Sequence, residues 1–287
     1  NKMQFAERYF DDLKLSDGTD DFARPANVWR LKAEKIGTYA KEADASYTAK
    51  VAVDDIYADL DLGSSVDKKD VTVYEDGAEL KDKAVDITKN DDDTEFGANG
   101  VLTEVFYDDV ADTMVITQIV TYIGEVAKTV KATDKRDAYV VITAKTGDNN
   151  AYTMPKDSKG IKASPLEFET DETFADDTYV LYTYSFKAEA VKSLAAAEKV
   201  EGYVTKTINS ASDLDKNNGM TIGGTEYKMS LATAGEALGN VSVKNDYTVY
   251  LDQYGYIIYV EQVQELGSYA LVLATANKGS FIGNKAQ

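Results

Sequence analysis

The 287-residue chain contains no cysteine and no histidine. Without cysteine there are no disulfide bonds, thiolate metal sites or cysteine nucleophiles, in keeping with a protein outside the cytoplasm whose stability rests on sheet packing. Without histidine the chain lacks the usual general base near neutral pH and the commonest ligand of transition metals. Together the two absences predict a protein that is not an enzyme.

Long apolar runs are also missing. No segment approaches the roughly 18 consecutive apolar residues of a membrane-spanning helix, so we expect no membrane insertion. Hydrophobic residues still make up 44% of the chain. That share is enough for a real core and, at this length, for about two domains.

Basic residues are few compared with acidic ones: 31 Lys and Arg stand against 50 Asp and Glu, for a formal net charge of −19. Because phosphate contacts need clustered Lys and Arg, nucleic acid is not an expected partner. The negative field attracts divalent cations and keeps a protein soluble at high local density. A well-solvated acidic exterior explains the same composition without any ligand.

The first residues carry a helical pattern. Phe5, Tyr9 and Leu13 recur every four positions, which places them on one helical face. The turn-forming residues 16–21 should end this helix, and Pro25 should prevent it from resuming. Residues 1–27 are therefore predicted to form a linker helix and a loop.

After this linker the chain favours β-structure. Residues 46–53 and 71–74 are predicted strands, and residues 75–77, Glu-Asp-Gly, are a predicted turn. Residues 54–60 begin with acidic capping residues and predict a short helix that ends at Gly63. Short helices are thus expected within a mainly β chain.

Two similar hairpins are predicted. The first pairs residues 103–107 with 114–120, and the second pairs 247–252 with 256–263. Aligning Asp108 with Asp252 superimposes the two segments, and we interpret them as a divergent internal repeat with two extra residues in the first turn. A further strand is predicted after each hairpin, at 137–144 and at 267–274.

The repeat predicts the domain organisation. We expect tandem small antiparallel β-barrel or β-sandwich modules, which period-2 alternation does not distinguish. After the N-terminal linker helix, the first module is predicted to span residues 28–125 and the second residues 126–266. Residues 267–287 are a terminal strand or the start of a further module.

Several segments, taken in their order along the chain, resemble the region downstream of the S-layer homology repeats in large surface proteins of Gram-positive bacteria. They include Lys35-Ile36-Gly37-Thr38-Tyr39-Ala40, Asp55-Ile56-Tyr57-Ala58-Asp59-Leu60, Leu102-Thr103-Glu104-Val105-Phe106-Tyr107 and Thr248-Val249-Tyr250-Leu251-Asp252. The resemblance implies a segment that projects outward from the cell wall and has no catalytic residues. No S-layer homology repeat is visible in the chain itself, so wall anchoring is not assigned to it.

Calcium is the ion that the chain fits best, because it prefers oxygen ligands and the loops are rich in carboxylates. Asp213, Asp215 and Asn217 copy the first three ligand positions of an EF-hand loop. Asn218 occupies the glycine position of that loop, and Gly224 stands where the bidentate Glu belongs. A solvated turn explains the same residues, and no other cofactor is expected.

One catalytic pattern occurs in the chain. Ser65-Val66-Asp67-Lys68 matches the Ser-x-x-Lys of penicillin-recognising acyl enzymes, and Lys145-Thr146-Gly147 follows in the correct order. No Ser-Asp-Asn element lies between them, and Ser65 falls in a polar loop. Pairs of carboxylates could also hydrolyse glycosides, but acidic residues are too common here for any pair to be informative.

These observations predict a non-enzymatic structural or spacer segment of a secreted cell-surface protein, located at the cell wall and acting by assembly and display. The expected partners are neighbouring copies or other surface proteins. The alternative is an adhesin module that binds host glycan or protein.

Overall fold

The computed structural model describes residues 13–80, 94–145, 166–209, 217–235 and 241–263. Of the described residues, 60% lie in strands and 5% in helices, so this part of the chain is mainly β and folds into several sheets. The predicted fold class is therefore confirmed. Four main sheets, called I to IV below, are formed by consecutive stretches of the chain.

Sheet I is an antiparallel three-stranded sheet of β1 (Leu13–Thr19), β2 (Pro25–Leu31) and β3 (Glu34–Ala40). Residues 16–19, predicted as part of a turn, lie in β1 instead, because every residue of β1 pairs with β2. The turn itself is shorter and is held by the Asp20 carboxylate, which accepts the backbone N–H groups of Phe22 and Arg24. The predicted linker helix falls on residues outside the described part, except for Leu13, which begins β1.

Sheet II has the strand order β4-β9-β10-β6-β7. Its strands are β4 (Ala45–Tyr47), β6 (Val71–Glu75), β7 (Ala78–Glu79), β9 (Val101–Asp108) and β10 (Thr113–Val120), and a separate ladder joins β5 (Val51–Ala52) to β8 (Glu95–Phe96). A single 3-10 turn, Lys68–Asp70, precedes β6.

The helix predicted for residues 54–60 is confirmed as α1 (Val53–Asp59), one residue earlier. Its N-cap is Ala52, which makes no side-chain capping bond, so the expected acidic cap is wrong. Ile56 and Tyr57 hold the helix in place by packing into the core of sheet II. The helix ends before Asp61, which has a φ of +52°, and not at Gly63.

Sheet III is antiparallel with the order β13-β12-β11-β14-β15. The strands are β11 (Tyr122–Val130), β12 (Tyr139–Ala144), β13 (Leu166–Glu169), β14 (Tyr179–Ser185) and β15 (Ala190–Ala196). The edge strands β13 and β15 approach each other, so the sheet curls towards a closed barrel. The module boundary predicted near residue 125 falls within β11, the central strand of this sheet.

Sheet IV has the order β18-β17-β16-β20-β21-β19. Its strands are β16 (Glu198–Asn209), β17 (Asn217–Ile222), β18 (Thr225–Tyr227), β19 (Met229–Gly235), β20 (Asp246–Leu251) and β21 (Ile257–Gln262). The strand predicted at 267–274 lies outside the described residues, whereas its counterpart at 137–144 is confirmed as β12.

Both predicted hairpins are confirmed, as β9–β10 and β20–β21, and their surroundings match. In each sheet an earlier strand pairs antiparallel with the first hairpin strand, and another earlier strand pairs parallel with the second. Val105 pairs with Ile116 and Val249 pairs with Val260, so each pair spans the same eleven positions. The two extra residues assumed in the first turn are therefore not needed.

The cores follow the sheets. One cluster lies between α1 and sheet II, another within sheet IV, and a third fills the curl of sheet III. The third cluster also contains Val101 and Val120 of sheet II and Ala232 of sheet IV. Sheets II, III and IV thus share buried apolar surface. In the described part of the chain, no helix is long and apolar enough to cross a membrane.

Candidate functional site

The connections between successive sheets are short. Only Thr121 separates β10 of sheet II from β11 of sheet III, and only Ala197 separates β15 of sheet III from β16 of sheet IV. Such connections leave the chain almost no freedom to bend between strands. The junctions between the sheets are therefore the candidate functional site.

Asp76 lies at the centre of the first junction, in the turn between β6 and β7. Its φ is +48° and that of Gly77 is +81°, the left-handed region that Asp and Gly tolerate best in tight turns. A Cβ on Gly77 would collide with the backbone carbonyl of Asp21, which belongs to the β1–β2 loop of sheet I. The turn can therefore approach sheet I only because residue 77 is glycine.

The Asp76 side chain is fully buried, and it accepts hydrogen bonds from both residues that flank Thr121. Its Oδ1 accepts the backbone N–H of Val120 at 2.9 Å, and its Oδ2 accepts the Tyr122 hydroxyl at 2.6 Å. Its backbone N–H donates to Gln118 in sheet II, and its carbonyl accepts the N–H of Phe186 after β14 in sheet III. One residue thus hydrogen-bonds to two sheets.

The charge state of this junction is unusual. Burial raises the pKa of Asp76 to about 8, against the opposing effect of its bonds from Tyr122 and Val120. Burial beside this carboxyl also raises the pKa of Tyr122 well above its ordinary value. At neutral pH the structure therefore favours a protonated Asp76 carboxyl group, and in that state its own O–H donates to the Tyr122 oxygen across the same 2.6 Å.

Ion pairs and polar contacts attach sheet I to its neighbours. Arg24 bonds to Asp20 at 2.7 Å within the β1–β2 loop and reaches Glu104 of sheet II at 3.2 Å. From sheet III, Lys192 pairs with Asp21 at 2.7 Å, and Lys187 donates to the carbonyl of Asp20. The pair with Lys192 lowers the pKa of Asp21.

A second junction brings sheet IV against sheet II. The side-chain amide of Asn99 donates to the carbonyl of Met229 at 3.1 Å, and the N–H of Leu231 donates to the carbonyl of Asn99 at 2.9 Å. Gly100 follows with a φ of +80°, and a Cβ there would lie 2.5 Å from Asp252 Oδ2 and closer still to Ser230 Oγ. The contact therefore depends on a residue without a side chain.

Sheet IV also contacts the Thr121 connection directly. The Gln253 amide donates to the Thr121 hydroxyl at 2.8 Å. Thr121 lies between Val120 and Tyr122, the two residues that bond to the Asp76 side chain. The neighbouring Asp252 is buried, and its Oδ1 accepts the N–H groups of Tyr254 and Tyr256. Burial raises the pKa of Asp252 to about 6. The connection between sheets II and III is thus held by polar groups of sheets II and IV.

Aromatic packing joins sheet III to sheet IV. The Tyr179 ring of β14 lies 4.4 Å from the Tyr250 ring and 4.9 Å from the Tyr259 ring of sheet IV, centroid to centroid. Beside these rings, Ile123 and Leu181 of sheet III pack with Tyr250 and Ile258 of sheet IV. This contact lies next to the Ala197 connection, whose N–H donates to the carbonyl of Tyr179.

Of the candidate calcium ligands, Asp213 and Asp215 lie outside the described residues. Asn217 begins β17, and only its backbone is described. The calcium site therefore remains a prediction. In the described part of the chain, no three Asp or Glu side chains are grouped so that they could hold a metal ion.

The acyl-enzyme pattern is only partly described. Ser65 lies in the exposed loop after α1, beside sheet II, and Lys145 follows β12 of sheet III, where it pairs with Glu125. The rest of the Lys-Thr-Gly element lies outside the described residues.

The sequence did not reveal the junction residues. The residues 75–77 predict only a turn for Asp76, and no sequence pattern predicts a role for Asn99 or Gly100. The Asp-Gly pair is the available signal, but it predicts the turn and not its burial against other sheets.

The chain matches no family model, and no curated protein or solved structure matches it.

Proposed function

We propose that this chain is a structural spacer of a secreted cell-surface protein, in which consecutive sheets form a stiff unit that displays other parts of the protein or its neighbours. The observation that carries the proposal is the pair of one-residue connections at Thr121 and Ala197. Each lies within a set of buried contacts that hold adjacent sheets in one orientation.

The location at the cell surface has separate support. It rests on the absence of cysteine, the net charge of −19 and the resemblance to surface proteins set out above. Intact cells of the source organism, labelled with an antibody against the chain, should stain without permeabilisation. Signal that appears only after lysis would contradict this location.

The stiffness of the unit can be measured with spin labels on introduced cysteines, because the chain has no native cysteine that would also take a label. Spin labels on Glu79→Cys and Glu226→Cys, two exposed positions on sheets II and IV, report the distance between the sheets by pulsed electron resonance. We expect a single narrow distance distribution, because buried contacts fix the sheets relative to each other.

The matched control carries the same label pair with four Gly-Ser residues inserted after Ala197. The inserted linker should broaden the distribution, since Gly-Ser segments behave as flexible coil. If the original chain gives a distribution as broad as the insertion variant, the sheets move independently and the spacer proposal is wrong.

The adhesin alternative is favoured by one observation, the exposure of two tyrosine side chains. Tyr39 is 57% exposed and Tyr203 is 46% exposed, and exposed aromatic rings suit the faces of sugars and protein hot spots. Saturable binding to a glycan or host protein that is lost in both Tyr39→Ala and Tyr203→Ala would favour this function over a passive spacer.

A further inference from the structure

Sheet I carries an unusual row of cations. Lys14, Arg30 and Lys35 are directly opposite one another on its three strands, and all three are exposed. Like charges directly opposite on neighbouring strands destabilise a sheet. Among the described residues none of the three forms an ion pair, although acidic residues outnumber basic ones in the whole chain. Within the described structure, Lys35 has a longer-range attraction to the Asp21 carboxylate but no direct salt bridge.

Exposed apolar side chains lie at the same end of sheet I, although Leu31, the residue after Arg30, projects from the opposite face of β2. Leu31 is 43% exposed at the end of β2, and Ile36 is 54% exposed between Lys35 and Gly37. We call Lys14, Arg30, Leu31, Lys35 and Ile36 the basic end of sheet I. Along the strands it lies at the opposite end of sheet I from the β1–β2 loop, which binds sheets II and III, although the Lys35 side chain reaches close enough to that loop to attract Asp21.

An exposed acidic surface lies on sheet II, in the turn between β9 and β10. Val110 at its tip is 92% exposed, and Asp108, Asp109 and Asp112 surround it in sequence. The turn is well formed, because Asp108 Oδ1 accepts the N–H groups of residues 110 and 111 and the Tyr107 hydroxyl donates to Asp112. We call residues 108–112 the acidic turn.

We propose that the basic end of one copy docks on the acidic turn of a second copy, head to tail. This inference rests on the proposed structural function and names the contact by which copies assemble. Each surface combines exposed apolar side chains with charges of one sign, so the two surfaces are complementary in charge and both can bury apolar area. An anionic polymer would neutralise Lys14, Arg30 and Lys35 but would offer nothing apolar to Leu31 and Ile36.

The proposed contact joins two different surfaces of the chain. The two surfaces lie on different sheets of the same chain, so the interface is heterologous, and a heterologous interface that does not close into a ring forms an open chain of copies. Such a chain would extend a spacer or build one row of a lattice.

Charge reversal tests the contact in both directions. Arg30→Glu and Asp109→Lys should each weaken self-association of the full chain at least about tenfold, because each variant places like charges across its own interface. An equimolar mixture of the two variants should associate again, since each intact surface then meets an intact partner and the two reversed surfaces also complement each other. Sedimentation velocity at low and high salt, up to about 1 mM protein, measures the self-association of each variant and of their mixture.

Lys131→Glu and Asp134→Lys are the matched controls, because they make the same charge changes at exposed residues of the β11–β12 loop. They should associate like the original chain. A chain that stays monomeric at low salt throughout this concentration range overturns the inference, as does association that neither reversal changes. Association only on addition of polyphosphate, lost in Arg30→Glu and kept in Asp109→Lys, would identify an anionic polymer as the partner instead. The spin-label distribution is independent of these results, so a stiff monomer would contradict this contact alone.

Discussion

Replacing Asp76 by Asn should remove a pH-dependent loss of stability. Asn resembles the protonated carboxyl group in shape: its carbonyl can accept the Val120 N–H, and its amide can donate to the Tyr122 oxygen. Asn also tolerates the φ of +48° at this position. The variant should therefore fold normally and be close to the original chain in stability at pH 4.

The sign of the pH effect follows from the raised pKa. The Asp76 carboxyl has a pKa of about 8 in the folded chain and an ordinary value of 3.8. Its contribution to stability is fully present below pH 3.8, where both states are protonated. As the pH rises towards 8 the unfolded chain ionises while the folded chain keeps its proton, so stability is lost across this window. One pKa unit corresponds to 1.36 kcal/mol, so the loss is at most about 6 kcal/mol.

Urea denaturation between pH 4 and pH 9 measures this difference. The free energy of unfolding of Asp76→Asn minus that of the original chain should rise from near zero to several kcal/mol, while the exposed control Asp134→Asn shows no such trend. A difference that stays flat with pH would refute the reasoning. A difference that falls with pH would show that the charged carboxylate is the form the junction stabilises.

Two further junctions give predictions of their own. Gly100→Ala should destabilise the chain by at least about 2 kcal/mol, since the new Cβ meets side chains of sheet IV. The control Gly255→Ala has a similar φ but open space around it, so it should cost only about 1 kcal/mol of backbone strain. Equal losses of stability in thermal denaturation would show that Gly100 makes no close contact. Tyr179→Ala should cost about 2 kcal/mol and broaden the distance distribution between sheet IV and the other sheets, because it removes the central ring of the cluster. The exposed Tyr203→Ala serves as its control, and an unchanged distribution in Tyr179→Ala would mean that this contact does not orient the sheets.

Local patterns predicted local structure well. The period-2 alternation on either side of two short turns predicts both hairpins, and the alignment of Asp108 with Asp252 predicts the repeat, with which the strand pairings agree. The short helix was found from its acidic start and its apolar spacing. These features depend on neighbours within about ten residues of sequence, which a single sequence displays directly.

The junctions could not be predicted because they depend on contacts between distant residues. Asp76 lies 44 positions from Val120, and Asn99 lies 130 positions from Met229. Nothing in an Asp-Gly or Asn-Gly pair distinguishes a solvated turn from one buried against another sheet. The parallel pairings of β6 with β10 and of β19 with β21 escaped prediction for the same reason, since each joins strands that are separated by other elements.

The one-residue connection at Thr121 also bears on how the chain would respond to pulling. Tension applied along the polypeptide passes from β10 straight into β11, with no slack in between. The hydrogen bonds of Asp76 and Gln253 cross this point from the side, so they would have to break before the two strands could be drawn apart. Pulling on the chain would therefore load these hydrogen bonds directly.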